Sequence, residues 1–139
     1  ILNRIMDTKQ LNTEELTGIA ALFIHAAKID HNYTIKEKSL IIDFLRFFLD
    51  ENKKIEEILK NAEELEKNSN QLLTYTNFIK KNSLETKKLI VKQLWKIIIS
   101  DNFSDEYETN LMRRICGLIY FPDKLSGEIK IQLKKEMNL

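Results

Sequence analysis

Two eight-residue stretches of this sequence share one chemical outline. Asp30-His31-Asn32-Tyr33-Thr34-Ile35-Lys36-Glu37 and Asp101-Asn102-Phe103-Ser104-Asp105-Glu106-Tyr107-Glu108 lie 71 positions apart, and in each an Asp precedes a Glu by seven residues. Each follows one apolar segment with helical spacing and opens another, so the chain reads as a duplicated helix, acidic loop, helix unit. The Asp closes a helix, where a carboxylate opposes the macrodipole and calls for a compensating donor or cation. The next position, His31 or Asn102, is where a helix leaves through a left-handed residue, which Asn and His tolerate better than most. Thr34 and Glu37, three apart, form a capping box for the helix that follows.

What lies between these loops has little to interrupt it. Three glycines and one proline in 139 residues leave long regular segments, and with 43% hydrophobic and 31% charged residues the chain is predicted to be a single all-α domain. Its halves run roughly over 14–67 and 83–138, bridged by a helix near 71–81. Lys and Arg number 22 against 21 Asp and Glu, so no net field points to nucleic acid. Cys116 is the single cysteine, and no apolar run approaches the roughly 20 residues of a membrane span. A reducing, cytoplasmic setting is the expectation. The chain opens at Ile1 and not Met, so a leader or anchor upstream stays an open alternative.

Taken in order, Thr13 is predicted to cap a helix with Leu16, Ile19, Ala20, Phe23, Ala26 and Ala27 on its inner face. This helix should be central. Residues 35–49 are so rich in Ile, Leu and Phe that the second helix should be buried on most sides. Residues 54–66 form an amphipathic surface helix, 67–70 a linker, and Ser83 starts a helix through Leu94, Trp95 and Ile98. Asp105 and Glu108 form a second capping pair, and Pro122-Asp123 separates the last two helices.

This order of features resembles the tellurite-resistance protein B-like (TerB-like) family. The resemblance rests on the Ala-rich helix into Asp30, Glu37 opening a hydrophobic helix, Leu94-Trp95, the loop from Asp101 to Glu108, and Arg113-Arg114-Ile115. The family's loop has Gly where this chain has His31 and Asn102. The resemblance implies an all-helical domain of about seven helices, related to the front domain of a membrane-anchored DnaJ-like co-chaperone, with links by name to tellurite resistance and stress. It implies no settled catalytic activity.

Two readings of the acidic residues follow. In the first, Asp30, Glu37, Asp101 and Glu108 converge on a divalent cation, with His31 able to add a nitrogen and favour Zn²⁺. In the second they only cap loops and helices, and the protein is an adaptor whose exposed aromatics, Phe47 and Phe48, take a partner peptide or a second copy. An EF-hand is excluded, because Phe103 falls where its roughly 12-residue loop needs an oxygen. No phosphate loop, metal-spaced Cys pair or nucleophile elbow is present, so a non-enzymatic protein is expected. His25 and Trp95 read as core residues, Cys116 as a buried small hydrophobe, and Arg113-Arg114 as a brace to the loop acids.

Overall fold

The computed structural model describes residues 11–30, 33–69, 71–100 and 105–138, without the side chains of Asp30 and Asp105. Seven α-helices occupy them, with no strand among the described residues: α1 (Thr13–Ala27), α2 (Ile35–Phe48), α3 (Asn52–Lys67), α4 (Leu72–Thr76), α5 (Leu84–Ile99), α6 (Asp105–Leu118) and α7 (Asp123–Glu136). The all-α expectation holds.

The cap of α1 is Asn12, one residue earlier than the sequence suggests. Its Oδ1 accepts the Glu15 N–H at 2.7 Å and Glu15 Oε1 accepts the Asn12 N–H at 3.2 Å, a complete capping box that Thr13 could not build with the same Glu. From there α1 is buried nearly all round, not on one face, and α2, α3, α4 and α5 all pack against it. Its small residues permit this crowding. At Gly18 a Cβ would lie 2.6 Å from Phe78 Cγ, so only glycine lets that ring approach.

Burial of α2 is narrower than expected. Ile41, Phe44 and Leu45 are buried and Phe44 meets Phe23 edge-on, 4.9 Å between centroids, while Phe47 is 42% exposed. This helix lies at the rim of the bundle, so α1, α3 and α5 cover only one of its sides. α3 is amphipathic as predicted, burying Ile55, Ile58, Leu59 and Ala62 against α1. The bridging helix is shorter than predicted, α4 ending at Thr76 and giving way to turns up to Asn82.

Ser83 caps α5 as predicted, its Oγ accepting the Thr86 N–H at 3.2 Å. The strongest partner of α5 is α7, and Trp95 Nε1 donates to Ser126 Oγ at 3.1 Å across that contact. α6 is held by α7 and α4. Asp105 is the first residue of α6, and the capping pair predicted for it with Glu108 rests on a side chain outside the described residues. The helix ends before Pro122, with Tyr120 at φ 59° and the Phe121 N–H donating to the Cys116 carbonyl at 2.8 Å.

Candidate functional site

Of the residues expected to gather round a cation, Asp30, His31 and Asp101 have side chains outside the described residues. Glu37 and Glu108 are described, and both are buried, 1% and 6% exposed, each in the first turn of the helix that follows its loop. The surroundings of Glu37 account for its oxygens. Oε1 accepts the Thr34 N–H at 3.2 Å and Oε2 accepts the Thr34 hydroxyl, so the carboxylate is spent on the capping box predicted for it. Among the described residues no group of three or more His, Cys, Asp or Glu side chains is arranged to hold a metal ion.

Beside Glu37 lies a charged cluster that the sequence did not reveal. Tyr33 comes off the first loop with its hydroxyl sealed from solvent, facing the Glu63 carboxylate without the geometry of a full hydrogen bond. Burial pushes that phenol well above its ordinary range, and the negative charges of Glu63, Glu37 and Glu66 push it further. Two lysines offset the acids, Lys28 Nζ at 2.7 Å from Glu66 and Lys38 Nζ at 3.5 Å from Glu63, and the imidazole of His25 lies with Nδ1 3.5 Å from Glu66. Tyr75 completes the wall, its hydroxyl donating to the Ser69 carbonyl at 3.0 Å. The cluster ties the end of α1 and the start of α2 to α3, and His25 is a half-buried member of it. Glu63 and Glu66 stand at the border of the apolar face of α3, the one local hint that they turn inward.

A second feature lies elsewhere. Between α4 and α6 runs a groove of about 800 Å³ with Leu72, Leu73 and Leu118 lining it, Gly117 open to it, and Arg113 and Arg114 along one wall. Leu73 is 50% exposed. Arg113 Nε reaches Asp123 Oδ2 at 3.9 Å across the turn into α7; of the loop acids expected to brace the arginines, Asp105 has its side chain outside the described residues. Arg114 is exposed and has no ion pair among the described residues. In sequence the two arginines are only a pair on a polar face; the groove appears when α4, 40 residues earlier, packs beside them.

Cys116 behaves as predicted, fully buried, its thiol pushed up to about 11 by burial. Trp95 is also in the core.

The family model described as tellurite resistance protein TerB matches residues 16–131. No curated protein and no solved structure matches the chain.

Proposed function

This chain belongs to the TerB family, and from that premise we propose that it is a non-enzymatic binding module, an adaptor serving tellurite resistance or a related stress response. The observation that carries this reading is a contrast between two sites. Glu37 is closed, both oxygens engaged by Thr34, whereas the groove between α4 and α6 offers open apolar surface beside an arginine with no partner among the described residues. An apolar groove with guanidinium groups on one wall suits a segment that carries a bulky apolar side chain next to carboxylates. A fluorescein-labelled decapeptide with one Phe between pairs of Asp is the probe. Saturable binding that is lost in Arg114→Glu and kept in Glu37→Gln supports the reading; no binding, or binding indifferent to Arg114→Glu, overturns it.

The cation reading is the second, favoured by the matching burial of Glu37 and Glu108 after their two loops. Asp30, Asp101 and His31 would have to supply the remaining donors. A ligand that binds only the folded chain raises its melting temperature. A rise with Mg²⁺, Ca²⁺, Mn²⁺ or Zn²⁺ that disappears in Asp101→Asn supports this reading, and unchanged melting with all four removes it.

A further inference from the structure

We propose that the pocket where α6 and α7 meet over Trp95 of α5 binds a small phosphate monoester. This site is separate from the groove between α4 and α6, and it does not depend on the adaptor reading.

The pocket spans about 470 Å³, with Trp95 and Met112 at its base, a volume that fits one small molecule. Its base is fixed. Trp95 Nε1 donates to Ser126 Oγ at 3.1 Å, and Lys130 Nζ stands over the indole, 4.9 Å from its centroid. The ring holds that ammonium by cation–π attraction but supplies no counter-charge. Lys130 forms no ion pair among the described residues. From α6, Arg113 lines the same pocket. Its Nε is 3.9 Å from Asp123 Oδ2, with the two side chains 67% and 64% exposed, so this ion pair is weak and engages one edge of the guanidinium. Lys134 also borders the pocket and already has a partner, so the cations that count are Lys130 and Arg113.

An ammonium and a guanidinium facing one small space call for an oxyanion. A phosphate monoester carries about −1.5 to −2 charges and three acceptor oxygens, enough to engage both groups, whereas a carboxylate carries a single charge. Ile131, 59% exposed, and the aliphatic stem of Lys130 give the organic part of the ester an apolar wall. Asp123 is the one carboxylate among the lining residues, and it opposes the ligand.

Trp95 is the single tryptophan of the chain, so its fluorescence reports on this pocket. Phenyl phosphate, followed by calorimetry and by Trp95 emission, should bind saturably between about 10 µM and about 1 mM. Inorganic phosphate should bind at least about tenfold more weakly, because it lacks the apolar part. Lys130→Gln should lose at least about tenfold in calorimetric affinity and Lys130→Arg should keep it, both with native circular dichroism. Asp123→Asn should bind more tightly than the wild type. Arg114→Glu should leave phenyl phosphate binding unchanged while abolishing capture of the acidic Phe peptide, so the two sites fail separately. The proposal is overturned by no saturable binding, by equal affinity in Lys130→Gln, by weaker binding in Asp123→Asn, or by loss in Arg114→Glu, which would put the ligand in the groove. Inorganic phosphate binding as tightly as phenyl phosphate rejects the ester as the occupant.

Discussion

Glu37 holds Thr34 with both carboxylate oxygens, one accepting the backbone N–H at 3.2 Å and the other the side-chain hydroxyl, at a position only 1% exposed. Removing the carboxylate takes away the partner of the Thr34 N–H and hydroxyl and empties a buried position at the α2 start. Glu37→Ala is expected to cost about 2 kcal/mol and Glu37→Gln about 1 kcal/mol, since the amide keeps one acceptor oxygen. Urea unfolding of the three proteins measures it, and equal midpoints would mean that the box contributes nothing.

Gly18 and Gly127 should respond in opposite directions to the same change. A methyl at position 18 would enter the base of the Phe78 ring, whereas one at 127 meets nothing within 4 Å. Gly18→Ala is therefore expected to destabilise by about 1–3 kcal/mol through overpacking. Gly127→Ala sits inside α7 and should stabilise by up to about 1 kcal/mol through helix propensity and a less free unfolded chain. Thermal melts of the two variants against the wild type decide both signs.

Tyr120 occupies the left-handed position that ends α6, φ 59°, with the Phe121 N–H bonded to the Cys116 carbonyl across it. Most helices that end this way use glycine there, because a Cβ crowds the following carbonyl. Tyr120→Gly should raise stability by about 1 kcal/mol, less whatever the Lys87 contact at 6.0 Å contributes. A fall in the urea midpoint would show that the ring's contacts outweigh the backbone strain.

The sequence disclosed what is local. The Thr34–Glu37 box and the Ser83 cap involve residues three apart, and periodicity found the buried face of α3. Even there Asn12 does not stand out as the cap, because Thr13 next to two acids makes an equally good start. The broad burial expected of α2 does not appear, because composition says how apolar a helix is and not how much of it packing covers; Phe47 stays 42% exposed. The charged cluster joins Lys28 to Glu66, 38 residues apart, and the groove joins Leu73 to Arg114. Such pairings come from packing directions that no window of the chain contains.

Cys116 is fully buried, with its thiol pushed up to about 11 by burial, the Ser126 hydroxyl pulling it partly back and Asp123 raising it. In an unfolded chain a thiol ionises near pH 8.5–9, so between about pH 9 and about pH 11 the unfolded state has released a proton that the folded state keeps. The folded chain then binds more protons, and stability falls as pH rises across that window, by up to about 1.4 kcal/mol per unit; below it Cys116 contributes no pH dependence. Tyr33 and Tyr75, both raised by burial, add a loss of the same sign at the alkaline end, so the wild type alone cannot isolate the thiol. Cys116→Ala does. Urea midpoints for both proteins from about pH 7.5 to about pH 10.5 should converge with rising pH, and native Cys116 should react with a thiol reagent only as fast as the chain opens. Parallel curves, or rapid modification of the folded protein, would place the thiol in contact with solvent.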